Sequence, residues 1–195
     1  MLAWNNHGIK KELDELYNWQ NKNEKVVLYD YAFVGAMTGQ IRNQWDRAKE
    51  KGERPDVAIV EGGANNAFIN AWWCWLPKGK EVPDECKNVL QNAASDLENL
   101  ILDLKANGTN KVVLIIPYHV RGVAAPFNPA LDYAIPLFKE ICPKEFCSFV
   151  ELSNWITPKD DSLYFADGVH PSPKGSRRIA RVVFNTLNDV QVSVE

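Results

Sequence analysis

The chain has little that would tie it to a membrane, to nucleic acid or to a metal. No apolar run approaches the roughly 18 residues a bilayer-spanning helix needs. The opening residues, Met1-Leu2-Ala3-Trp4-Asn5-Asn6-His7, carry neither a basic start nor an apolar stretch, so no export signal is expected among them. Lys and Arg number 22 against 25 Asp and Glu, for a net charge of −3. The densest basic group, Arg177, Arg178 and Arg181, falls on an amphipathic C-terminal stretch where a solvated helix face accounts for it. A nucleic-acid partner is therefore not expected. There is no Cys-x-x-Cys, and the three histidines lie far from the cysteines, so the common zinc spacings are missing. No glycine-rich phosphate loop is found either. Neither a metal nor another cofactor is expected.

What is present is an ordinary globular composition, 46% hydrophobic and 24% charged over 195 residues, enough for one sizeable core. Apolar residues at helical spacing predict helices over 10–20, 38–51, 86–106, 128–141 and 172–187. Short apolar runs at 25–30, 56–60, 111–117 and 148–152 suit strands buried on both faces. Strands alternating with helices predict an α/β fold with a parallel sheet and right-handed crossovers. No repeat or linker divides the chain, so residues 1–195 read as one domain. The tail 190–195 alternates like a half-exposed strand.

Four cysteines fall into two local groups, Cys74 with Cys86 and Cys142 with Cys147. Two local disulfides are the most economical of three connectivities and would imply an oxidising compartment, secreted or periplasmic. Four reduced thiols in a cytoplasmic protein are the alternative.

In an open α/β sheet, functional residues gather on loops beyond the carboxyl ends of the strands. Three such loops stand out. In Phe165-Ala-Asp-Gly-Val-His-Pro171, an Asp three residues before a His can fix the imidazole tautomer and stabilise its protonated form, as a general base requires. The pair is followed by Pro-Ser-Pro-x-Gly and an amphipathic helix, which makes the pattern more specific than Asp-x-x-His alone. The loop Gly63-Ala-Asn65-Asn66 follows a buried strand and offers an amide toward a developing oxyanion. The loop from Phe33 to Gly39 holds Gly35, whose backbone N–H can serve the same oxyanion, while Thr38 can cap the next helix.

In this order and at these separations the three loops resemble the SGNH (GDSL-like) hydrolase family, whose blocks run GDS…G…GxND…DxxH. The resemblance covers nearly the whole chain from about Leu13 onward. It implies a flavodoxin-like three-layer α/β/α sandwich with sheet order 2-1-3-4-5. It makes His170 the base, Asp167 its orienter, and Gly35 N–H and the Asn65 side chain the oxyanion donors. Asn66 stands where the family has Asp. The implied activity is hydrolysis of small acyl esters, possibly of carbohydrate or lipid, through a serine acyl-enzyme.

One block is missing. The nine residues before the helix at 10–20 contain no serine, and none of Ser95, Ser148, Ser153, Ser162, Ser172, Ser176 and Ser193 stands in a nucleophile motif. Ser153, after the last strand, is the least implausible substitute. The family's first strand lies inside the sheet, so its loss would strand two edges without hydrogen-bond partners. The expectation is that a GDS segment lies upstream of Met1 and that these residues alone are nearly inactive. The alternative reading is a non-catalytic carbohydrate-binding module on the same scaffold. Trp72 and Trp73, after the Asn65 loop, would stack on substrate or pack under a pinned loop. Tyr118 and Arg121, after the strand at 111–117, are expected to line the same rim. His119 has no orienting acid at a set spacing.

Overall fold

The computed structural model describes residues 9–20, 27–32, 35–70, 74–76 and 80–188. Three parallel strands, β1 (Val57–Glu61), β2 (Lys111–Ile116) and β3 (Cys147–Glu151), pair in the order β1-β2-β3. The register sets Ile59 opposite Val113 and Leu114 opposite Phe149. Around them run α1 (Ile9–Gln20), α2 (Thr38–Glu50), α3 (Ala64–Asn70), α4 (Asp84–Ala106), α5 (Asn128–Glu140) and α6 (Pro173–Leu187).

The alternation along β2 divides the core. Val112, Leu114 and Ile116 join a cluster with Ile41 and Trp45 of α2, Leu97 and Ile101 of α4, and Leu131 and Phe138 of α5. Val113 and Ile115 point the other way, into a cluster with Leu13 of α1 and Ile179 and Val183 of α6. A strand covered on both faces must be apolar at consecutive positions, which is what Lys111-Val-Val-Leu-Ile-Ile116 provides. The result is a three-layer α/β/α arrangement, as expected from the sequence. Tyr17 and Phe184 lock α1 to α6 edge-on, with ring centroids 4.7 Å apart. The Trp45 indole N–H donates to Asp103 at 2.7 Å and ties α2 to α4.

Helix ends follow local chemistry. Ser172 caps α6 by accepting the Gly175 N–H at 3.1 Å, with Pro173 in the first turn. Asn107 and Gly108, the latter at φ +93°, stop α4. At α2 the cap is Met37, not Thr38. Pro136 is accommodated within α5.

The strand expected at 25–30 is not formed. Residues 25 and 26 lie outside the described residues, and 27–30 have no regular structure. Val27 and Tyr29 are exposed, and only Leu28 packs onto the α1–α6 side. An apolar run becomes a strand only where a neighbour offers backbone partners. Among the described residues no strand lies beside β1 on its outer side to offer them. The observed order matches the 3-4-5 half of the expected sheet. The tail 190–195 also lies outside the described residues.

The tryptophan-rich stretch at 67–85, which reads from the sequence as an inserted surface excursion, begins inside α3, whose first turn follows Gly62-Gly63 directly. Trp72 and Trp73 lie outside the described residues. Trp75 donates its indole N–H to the Phe68 carbonyl at 3.2 Å and packs on the Phe68 and Phe127 rings, so it belongs to the core. Both expected disulfides are formed: Cys74–Cys86 pins this segment to the first turn of α4, and Cys142–Cys147 closes the turn between α5 and β3.

Gly63 sets the exit from β1. Its φ is +91°, and a Cβ there would lie 2.6 Å from the Phe138 ring and 3.3 Å from Leu97. Gly63→Ala should therefore lower stability by about 2–4 kcal/mol, the sum of a left-handed backbone penalty and overpacking. Gly52→Ala, at φ +78° with open space around it, should lose only the backbone part, about 1–2 kcal/mol. Urea unfolding midpoints of the two variants check the difference; equal losses would refute the packing contribution.

Candidate active site

The loop from Tyr164 to Pro171 is a hairpin closed by a bridge between those two residues, with Phe165 N–H donating to the His170 carbonyl at 2.8 Å. Asp167 sits at its tip. One carboxylate oxygen accepts the backbone N–H groups of Val169 (2.9 Å) and His170 (3.0 Å). The other lies 2.7 Å from His170 Nδ1. The Asp-x-x-His spacing thus lets one carboxylate organise its own turn and hold the ring. Burial is the largest influence on Asp167 and pushes its pKa up. The hydrogen bonds from the His170 ring and from the two backbone N–H groups together outweigh it and hold the carboxyl below its ordinary value. Nδ1 is the ring nitrogen that faces Asp167.

The loop is braced from the carboxyl end of β2. Arg121 N–H donates to the Gly168 carbonyl at 2.8 Å, and the Tyr118 hydroxyl donates to the Val169 carbonyl at 2.7 Å. In return the Tyr164 hydroxyl donates to the His119 carbonyl at 2.8 Å. Gly168 has φ +70°, and a Cβ there would come within 2.5 Å of the Arg121 carbonyl oxygen, so the approach of the two loops requires glycine. Burial pushes the Tyr118 phenol well up, with Glu61, Tyr164 and Asp167 adding to the effect. Burial likewise pushes the Tyr164 phenol up to about 12, against the pull of Arg121. Both hydroxyls remain donors across the neutral range. Glu61 ends β1 beside this group. Much of its surface is open to solvent, yet the protein mass around its carboxyl disfavours charge and raises its pKa.

The residues expected to serve an oxyanion, Gly35 and Asn65, come together from distant parts of the chain. Asn65, in the first turn of α3, donates its side-chain N–H to the Ala36 carbonyl at 3.2 Å and so sits against the turn that holds Gly35. Asn66 works beside it: its carbonyl oxygen accepts the Thr38 N–H at 3.0 Å and satisfies a free donor at the start of α2. The Thr38 hydroxyl gives its single proton to Asp96 at 2.6 Å and accepts from the Asn66 amide at 2.9 Å. An Asp at 66 would supply no N–H and would set two carboxylates against one hydroxyl proton. The amide at 66 therefore fits the presence of Asp96 on α4.

Gly35 and Asn65 are thus joined through Ala36, and Asp167 is joined to His170. The first pair gathers at the carboxyl end of β1 and the second at that of β2. These strands are neighbours in the sheet, about 4.8 Å apart. Tyr118 lies beneath the dyad as a brace. Arg121 lies beyond it, pairing with Asp161 through Nη1 and stacking over the Tyr164 ring. These two residues, with Val123 and Phe165, border a groove of about 460 Å³ that also reaches Asp167 and Gly168. His119 does have an acid partner: Asp132 of α5 lies 2.7 Å from its Nε2. Ser153 donates to Glu151, which in turn pairs with Lys139, all on the β3 edge. Among the described residues no group of three or more His, Cys, Asp or Glu is placed to hold a metal ion.

Because the Asp167 carboxyl is held below its unfolded value, it stabilises the fold above the ordinary carboxylate range. That contribution is lost as pH falls through the lowered folded pKa. The stability difference between the parent chain and Asp167→Asn should stay constant from neutral pH to about pH 4 and shrink below it. Urea midpoints measured down the pH scale check this, and a difference that grows on acidification would contradict it.

Solved structures that share this fold include esterases. An acetylxylan esterase of Geobacillus stearothermophilus superposes with a TM-score of 0.71 at 18% identity, over 95% of this chain and 84% of that one. A lipase/acylhydrolase of Enterococcus faecalis gives 0.68 at 16% identity, over 96% and 88%. In sequence, 112 residues are 26% identical to a probable extracellular serine carboxypeptidase of Arthroderma benhamiae; they make up 56% of this chain, which spans only 14% of that relative's length. Residues 4–178 match the GDSL-like Lipase/Acylhydrolase family. The chain belongs to that family of ester hydrolases.

Proposed function

We propose that this chain carries the base and the oxyanion hole of a serine ester hydrolase acting on small acyl esters, with acetylated carbohydrate as the favoured substrate. The observation that carries the reading is the Asp167–His170 contact, 2.7 Å long on a loop braced by β2. A serine hydroxyl delivers its proton to His170 Nε2 as its oxygen attacks the acyl carbon. The Gly35 N–H and the Asn65 amide take up the charge on the former carbonyl oxygen, for which Asn65 exchanges its bond to Ala36. His170 then returns the proton to the departing alcohol, and water repeats the sequence on the acyl-enzyme.

Residues 1–195 hold no serine in a Gly-Asp-Ser setting, so these residues alone are expected to turn over slowly, with the nucleophile supplied from sequence upstream of Met1. The likeness to acetylxylan esterases supports the acetyl-carbohydrate preference. Two disulfides and a relative named as extracellular support an oxidising, extracytoplasmic location.

Hydrolysis of p-nitrophenyl acetate, followed for this chain and for one extended upstream through the genomic reading frame, tests the reading. Activity should appear in the extended chain and fall by about 10³–10⁴ in His170→Ala. Removing the Asn65 amide by Asn65→Ala should lower kcat by about 10²–10³. An extended chain with a Gly-Asp-Ser segment that is inert toward esters, or one indifferent to His170→Ala, would refute it.

A further inference from the structure

We propose that the groove bounded by Arg121, Val123, Asp161 and Phe165 holds the alcohol half of the ester, and that this alcohol is a neutral sugar. The inference rests on the ester-hydrolase reading for its direction. The donor of the proton to the departing alcohol is His170, so the alcohol must lie on the histidine side of the scissile bond. The groove borders the loop that carries His170. It shares Asp167 and Gly168 with the dyad loop and touches none of Gly35, Ala36 and Asn65, which stand on the acyl-oxygen side. Its volume, about 460 Å³, falls within the usual range for a small-ligand site.

The lining chooses the chemistry. Phe165 is 46% exposed and Val123 87%, so the groove offers water two large apolar side chains beside the site. The same groove is lined by the ion pair of Arg121 with Asp161, both open to solvent in part. The guanidinium is a planar fork of five N–H donors, and the Asp161 contact engages one terminal nitrogen. An acyl chain laid here would strip water from an ion pair and give nothing back. A sugar ring presents C–H groups to an aromatic face and, at its edge, hydroxyls that both accept from Arg121 and donate to Asp161. The pair is also held in place: Arg121 is anchored by its backbone bond to Gly168 and by its stacking over Tyr164. A bound ring would thus be registered against the loop that carries His170. Net charge on the ligand is not required, since the guanidinium and carboxylate already balance each other.

The test is a titration of the 195-residue chain with xylotetraose, an unacetylated probe that needs no turnover, read by amide chemical shifts in ¹⁵N-labelled protein. Saturable shifts are expected at Arg121, Val123 and Phe165, with Kd about 1 mM. Phe165→Ala and Arg121→Ala should each weaken binding about tenfold while their thermal melting stays close to the parent's. In an active extended chain, each should lower kcat/KM on acetylated xylo-oligosaccharide at least tenfold more than on p-nitrophenyl acetate. No saturable shift up to about ten times that Kd, or shifts centred away from the groove, would overturn the proposal. So would a loss on p-nitrophenyl octanoate as large as on the sugar ester, which would make the groove an acyl site. Binding without hydrolysis in the extended chain would sink the ester reading alone, and hydrolysis without binding would sink the sugar subsite alone.

Discussion

β2 is hydrogen-bonded along both edges and covered on both faces, and the placement of the site follows from that constraint. Its register with β1 and β3 leaves no freedom to slide, because a one-residue slip would turn Val112, Leu114 and Ile116 toward α1 and α6 and leave two fitted cores mismatched. The chain therefore leaves Ile116 at a fixed height above the sheet. Tyr118, His119 and Arg121 then reach the dyad loop through three hydrogen bonds, two given and one received. Asp167 and His170 inherit their position from β2 although they are fifty residues away in sequence from Tyr118.

The two halves of the site are held by different means. Asp167 organises its own turn through contacts spanning two and three residues, so the Asp167–His170 half forms wherever that hairpin forms. The Gly35–Asn65 half depends on contacts across nearly thirty residues to Ala36 and Thr38, and across 58 residues from Thr38 to Asp96. Asn65 and Asn66 sit side by side but do separate work: one lies against the Gly35 turn, and the other caps α2. The pair also explains why an amide suits position 66, since Thr38 has one proton and Asp96 takes it.

The His119–Asp132 pair shows how chemistry-bearing residues mislead when read along the chain. Thirteen residues separate them, an interval that matches no local turn, and they meet because α5 folds back along the sheet. Their contact has the length of the Asp167–His170 one, 2.7 Å, but uses Nε2 of the ring where His170 uses Nδ1. A His beside an Asp does not by itself mark a base.

The sequence by itself determined the alternation of helices and strands, the doubly buried run at 111–116, the two local disulfides and the Asp167–His170 pairing. Each is written in periods or spacings of a few residues, where backbone geometry leaves few alternatives. It could not determine the fate of 25–30, whose apolar run is strand-like but whose conformation depends on a partner strand. Nor could it reveal that Gly63 must clear Phe138, that Asp96 completes the Asn66 network, or that Arg121 and Asp161 border one groove. Those residues lie 30 to 75 positions apart in the sequence. Only the packing of helices onto both faces of the sheet decides which of many compatible side chains meet.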